Sequence, residues 1–212
     1  AGFGGGDHSS AYTERAEICD LVARERIAGF ACVSGDRHSF WAGLMAKALP
    51  PARFEPVGVA FITGSISAAG LAEVFEHRFP KQHPLRALFQ ADRPGAERPE
   101  AAVNMLLRHG VRSCLEYAAS FDRARARAAS NPDNAPHLSF VDMGGHGYAT
   151  VRLDADAIET EFVCIPRPLE RAATPDGGPI RYRLQYRARR WAPGERPVLE
   201  QRVIEGDPGL GV

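Results

Sequence analysis

Hydrophobic and polar positions follow two different periods along this chain, and the change of period divides it. From Tyr12 to Ile27, Ala16, Cys19, Val22 and Ala23 recur at three- to four-residue spacing, with Ile18 and Leu21 beside them. Glu14, Arg15, Glu25 and Arg26 fill the opposite face, so the stretch predicts an amphipathic helix. Ser9 or Ser10 is placed to cap it and Gly29 to end it. Phe30-Ala31-Cys32-Val33-Ser34 then runs apolar and unbroken, the pattern of a strand buried on both faces, and stops at Gly35-Asp36-Arg37-His38. Val57 to Thr63 has the same texture and runs into Gly64-Ser65-Ile66-Ser67. Between Phe75 and Arg98, Pro80, Pro84 and Pro94 interrupt any long element, which predicts a surface excursion or lid. Pro99 to Ala129 reads as helix in two pieces broken near Gly110.

After the turn Asn131-Pro132-Asp133-Asn134 the period becomes two. Leu138–Met143, Tyr148–Leu153 and Ile158–Ile165 read as strands, the last two joined by Asp154-Ala155-Asp156 into a hairpin. A further turn is expected at Asp176-Gly177-Gly178-Pro179. From Ile180 to Trp191 alternation is strict: Tyr182, Leu184, Tyr186 and Ala188 point one way, Arg181, Arg183, Gln185 and Arg187 the other. An α/β part followed by antiparallel strands predicts helices packed on a β-sandwich. Three segments of one domain follow: an α/β unit over 1–74, an irregular and helical stretch over 75–130, and an antiparallel segment over 131–212.

Composition narrows the function more than the fold. Lys plus Arg and Asp plus Glu are both 26, so the formal charge is zero, which argues against a nucleic-acid binder working by counterion release. The arginine face of 181–189 and the Arg123–Arg127 run then read as a solvated strand face and a solvated helix end. No apolar run nears the roughly 20 residues that cross a bilayer. The four cysteines, Cys19, Cys32, Cys114 and Cys164, form no C-x-x-C pair and read as small buried hydrophobes.

The candidate chemistry lies in Gly35-Asp36-Arg37-His38. A strand that stops at glycine and presents a carboxylate and an imidazole two residues apart puts both groups at its C-terminal rim, where open α/β sheets bind ligands. Both donor types suit a hard or borderline metal, so Asp36 and His38 are the candidate ligands. Gly64-Ser65-Ile66-Ser67 is no nucleophile elbow, because Ile66 holds the nucleophile's place. The opening Gly2–Gly6 run has no strand before it and no Lys-Ser/Thr after it, so it reads as loop. His8, and His146 on the glycine-rich Gly144–Gly147 turn, are secondary candidates for substrate contact; His77, His83 and His109 read as surface residues and His137 as a packing or turn residue.

Ser34-Gly35-Asp36-Arg37-His38-Ser39-Phe40-Trp41 resembles the G-D-x-H segment of the alkaline phosphatase D-like metallophosphoesterases. Val59 to Ser67 is similar to that family's strand running into a Thr/Ser-rich turn, and Asn131-Pro132 … Pro136-His137-Leu138-Ser139-Phe140-Val141-Asp142 … Gly147-Tyr148 to its N-P…P-H-h-x-F-h-D…G-Y stretch. The resemblance implies a four-layer α/β/β/α sandwich and hydrolysis of phosphate mono- or diesters. It also implies a centre of two or more metals, iron with calcium, and export to the periplasm or beyond. Asp36 and His38 match metal ligands. Tyr12 stands where relatives carry a W-x-G-Y element, with Ser9 and Ala11 in place of its Trp and Gly, which marks Tyr12 as a weak match for a substrate wall. The family's upstream ligand motifs do not occur here, so an N-terminal segment of the same protein is the expected partner, completing the site. The rival expectation is a noncatalytic β-sandwich module that binds phosphorylated or anionic ligands.

Overall fold

The computed structural model describes residues 12–167 and 179–212. Two four-stranded sheets form its centre. The first contains β1 (Ala31–Ser34), β2 (Phe40–Ala46), β3 (Pro56–Ile62) and β4 (Leu138–Asp142), in the order β1-β3-β2-β4. β1 runs parallel to β3, while β2 is antiparallel to both β3 and β4. The second is an antiparallel meander of β5 (His146–Leu153), β6 (Ala157–Ile165), β7 (Tyr182–Arg189) and β8 (Glu200–Gly206). The turn from β5 to β6 is closed by Asp154, whose carboxylate accepts from the amides of Asp156 and Ala157, both at 2.9 Å.

The sheets face each other across an aromatic core. Phe40, Ala42, Val59, Phe61 and Phe140 project from the first, and Phe162, Cys164, Tyr182, Leu184 and Tyr186 from the second. Phe40 and Phe162 meet at 5.1 Å between ring centres, and Phe140 meets Tyr182 edge-on at 5.9 Å, geometries that favour the ring quadrupoles. The alternation expected over 180–191 is observed: Tyr182, Leu184, Tyr186 and Ala188 are buried. On the outer face Arg183 pairs with Glu161 at 2.7 Å and Arg187 with Glu159 at 3.3 Å.

Helices cover the other face of the first sheet. α1 (Tyr12–Arg24) comes first, followed by α2 (Leu71–Arg78), the single turn α3 (Arg86–Phe89), α4 (Val103–His109), α5 (Val111–Ser120) and α6 (Arg123–Ala128). Ala72 and Phe75 of α2 and Val103 of α4 pack on Val141 and Met143, while Met105, Cys114, Tyr117 and Ala126 make a second core between the later helices. The described residues thus form three layers, helix on sheet on sheet, in a mixed α/β fold.

Several expectations change. β1 is not buried on both faces: it is the outer strand of its sheet, and Val33 is 54% exposed. β2 and β8 have no counterpart among the strands that the sequence pattern predicts. The 75–98 excursion carries the end of α2 and the turn α3, and the helical pieces after Pro99 number three, with the break at Gly110 as expected. β4, assigned to the last segment, joins the first sheet instead, so the segments 1–74 and 131–212 share a sheet.

Candidate functional site

The loop between β1 and β2 is built from short-range bonds. The Arg37 amide donates to the Gly35 carbonyl at 2.9 Å, and the Ser39 hydroxyl donates to the Arg37 carbonyl at 2.9 Å. The Trp41 indole donates to that same hydroxyl at 2.7 Å, and the Arg37 guanidinium lies 5.9 Å from the Trp41 ring centre. Within this frame Asp36 and His38 both take left-handed backbone, with φ of 68° and 48°. Asp and His tolerate that region better than most residues, yet two such residues separated by one position are uncommon. Asp36 is exposed and His38 half-buried. Both candidate ligands thus sit on one braced loop at the C-terminal end of β1.

His38 is anchored from behind. Its Nδ1 lies 2.9 Å from the Ala69 carbonyl, an acceptor only, so Nδ1 is the donor of that bond and, in the neutral ring, Nε2 keeps its lone pair. Gly70 follows, backed directly against the loop: a Cβ there would stand 3.0 Å from the His38 carbonyl oxygen. The Gly70 amide donates to the Glu73 carboxylate in the first turn of α2. Glu73 Oε1 in turn meets His146 Nε2 at 2.6 Å and Arg167 Nε at 2.9 Å, and Arg167 also holds Glu76 at 2.9 Å.

His146 is therefore not on an open turn. It is the first residue of β5, is 2% exposed and faces Glu73, because the Gly147 amide donates to the Ser65 carbonyl at 2.8 Å and draws the strand start inward. His8 and the side chain of Tyr12 lie outside the described residues, as do the Gly2–Gly6 run and most of the Asp176–Pro179 turn. His137 packs as expected, whereas His109 is half-buried, its Nδ1 2.9 Å from Ser130 Oγ. Nothing in the hydrophobic pattern marks Glu73 or Arg167; the one sequence signal there is Gly70-x-x-Glu73, the spacing of a helix cap.

Asp142, at the end of β4, is a second buried polar centre. It accepts from Tyr182 Oη at 2.9 Å, from the Gly144 amide at 3.0 Å and from Asn104 Nδ2 at 3.4 Å, while Asn104 accepts from the Met143 amide at 2.9 Å. Burial, and then the Asp142 charge, raise the Tyr182 hydroxyl well above its ordinary pKa, and burial pushes the Cys164 thiol up to about 12. Neither is a nucleophile at neutral pH. A cavity of about 490 Å³ opens beside Asp142, lined by Glu73, Arg98, Arg123, Arg167 and Arg181 among others. Its charges are mixed, with Arg123 on Asp207 at 2.8 Å and Arg167 on Glu73, so neither sign of ligand is favoured there.

The candidate metal donors fit in kind but not in number. Asp36 offers an exposed carboxylate and His38 an imidazole whose Nδ1 is engaged by the Ala69 carbonyl. Among the described residues, however, no three His, Cys, Asp or Glu side chains come together as a group able to hold a metal ion. Nor is any helix among them long and apolar enough to cross a membrane.

No protein-family model matches the chain, and no curated protein matches it. Its fold is similar to a solved structure described as "Structure of PhoD", with a TM-score of 0.50 and 13% identity, covering 92% of this chain and 26% of that one. The chain thus spans about a quarter of the length of the protein it resembles. At that identity the likeness shows the fold alone.

Proposed function

We propose that the chain is the C-terminal part of a metal-dependent phosphoesterase, in which Asp36 and His38 supply two ligands to a centre whose other ligands come from an upstream segment. The observation that carries this reading is the pair of left-handed residues, Asp36 and His38, on a loop that its own hydrogen bonds hold in place. Non-glycine residues in that region cost about 1–3 kcal/mol each and collect at functional sites, where the strain fixes geometry. The similarity of fold to a PhoD structure and the G-D-x-H resemblance support the same reading.

Within it, Asp36 brings negative charge and His38 a neutral nitrogen donor, their separation set by the loop rather than by the metal. Iron with calcium is the proposed pair, and such metals would supply a bound hydroxide and clamp phosphoryl oxygens. The same upstream segment would add the helical layer that makes the sandwich four-layered. It would also carry any export signal, and phosphate mono- or diesters are the proposed substrates.

The test uses the whole protein. Asp36→Asn and His38→Ala are each expected to lower hydrolysis of a nitrophenyl phosphate by orders of magnitude and to lower the bound metal, with the melting temperature retained. Unchanged turnover in either variant removes that residue from the site. A whole protein with no tightly held metal and no phosphatase activity would instead favour a noncatalytic module for phosphorylated or anionic ligands.

A further inference from the structure

We infer that Glu73, itself held by His146 and Arg167, is a positioning residue for His38, fixing the tautomer that leaves His38 Nε2 free. The inference rests on the reading of His38 as a ligand only for its purpose; the geometry is independent of it. His38 Nδ1 reaches a main-chain carbonyl, Ala69, at 2.9 Å. A carbonyl fixes a tautomer only if it cannot swing away, and the Ala69 methyl offers no polar atom to hold it. Two bonds of the next residues hold it instead. The Gly70 amide donates to the Glu73 carboxylate, and the Ala72 amide donates to the Met143 carbonyl at 3.1 Å. Ser65 adds a third tie, donating its hydroxyl to the Ala68 carbonyl.

Glu73 is suited to the role because it is itself fixed. Its side chain is 10% exposed, and its Oε1 meets both His146 Nε2 at 2.6 Å and Arg167 Nε at 2.9 Å. His146 is 2% exposed and anchored in the β5 start, so the carboxylate is tied to the second sheet while its other oxygen caps α2. The path is short: second sheet, His146, Glu73, Gly70, Ala69, His38. Metal-binding histidines commonly have one ring nitrogen engaged by a carbonyl or carboxylate, which sets the orientation of the other. Here the engaged group is a carbonyl, and the carboxylate acts one step behind it. Gly70 belongs to the same device, since a Cβ would stand 3.0 Å from both the Glu73 Oε2 and the His38 carbonyl oxygen.

The test reads the tautomer directly and needs no metal. The chain is labelled with ¹⁵N-histidine and observed near pH 8, above the ordinary histidine pKa of about 6.5; the His38 signals are assigned by their loss in His38→Asn. The unaltered protein is expected to show His38 in the Nδ1–H form. Glu73→Ala is expected to lose that signature in favour of the Nε2–H form or an average of the two. Met105→Ala, which weakens the separate core of the later helices, is expected to keep it. Should Glu73→Ala fail to fold, Arg167→Met removes one of the carboxylate's anchors and leaves the cap, with a smaller shift in the same direction expected. An unmoved His38 signature in the folded Glu73→Ala variant overturns the inference, as does an equal loss in Met105→Ala. Metal titration of His38→Ala is the separate check on the ligand reading: undiminished metal binding there would end that reading and leave the positioning result standing.

Discussion

Asp36 and His38 hold backbone angles that most L-residues avoid, and that makes stability and donor chemistry separable at this loop. Asp36 has φ of 68° and is exposed, with no described packing role for its side chain. Glycine occupies that region without steric cost, so Asp36→Gly is expected to leave stability unchanged or raise it by up to about 1 kcal/mol in urea denaturation. Under the proposed function the same variant loses its metal ligand; a marked loss of stability would show instead that the carboxylate is structural. Asp142 presents the opposite case. Tyr182→Phe takes a donor from a buried carboxylate oxygen, and the expected cost is about 1–3 kcal/mol, read as a lower urea midpoint. The D-x-H pair is marked in the sequence because its chemistry is local, within four residues of the end of an apolar run. The backing of His38 is not, because Ala69, Glu73 and His146 lie far along the chain and meet it only after the two sheets have closed.

Among the elements, α1 and β7 have a clean period and stand where that period puts them, whereas β2 and β8 have none and are not marked in the pattern. β7 alternates without a break, and the facing of its residues is legible from that alternation. β2 (Phe-Trp-Ala-Gly-Leu-Met-Ala) is a central strand packed on both faces, so it carries neither period. β8 (Glu-Gln-Arg-Val-Ile-Glu-Gly) is exposed at every residue and is held by its ladder to β7, a stabilisation that leaves no hydrophobic signature. β1 was misread for the reverse reason: its apolar run belongs to an outer strand, with no second neighbour among the described residues to bury Val33. The break at Gly110 was legible because glycine is needed there. It ends α4 and begins α5 with φ of 90° and ψ of 178°, a conformation nearly confined to glycine. Its neighbour Asn134 donates to the Leu107 carbonyl at 2.8 Å, tying the end of α4 to the loop before β4. Gly110→Ala is therefore expected to cost about 1–3 kcal/mol, seen as a drop in melting temperature, with the helix content retained.

At the scale of the whole molecule, two histidines far from the proposed site make folding sensitive to acid. His109 closes α4 beside Arg108 and near Arg127; burial first, and then those two cations, hold its pKa down at about 4. His137 lies in the approach to β4, where burial and then Arg15 hold it at about 4 as well. His109 Nε2 and His137 Nδ1 are buried without a hydrogen-bond partner, in keeping with rings that remain neutral in the fold. In the unfolded chain both rings titrate near 6.5. Between about pH 6.5 and pH 4, then, the unfolded state binds protons that the folded state does not, and lowering the pH favours unfolding. The stabilisation is complete above about 6.5 and is lost progressively as the pH falls towards about 4. Each ring adds a slope of at most about 1.4 kcal/mol per pH unit. The lowered carboxylates Asp92, paired with Arg86, and Asp207, paired with Arg123, act in the same direction but at lower pH, below their ordinary range. Urea midpoints taken from pH 7 to pH 5 separate the two groups, because in that interval the histidines titrate and the carboxylates do not. The double variant His109→Gln/His137→Gln is expected to have a flatter profile there, whatever its absolute stability. A slope equal to that of the unaltered chain would mean that these rings take up protons in the folded state and that the acid sensitivity arises elsewhere.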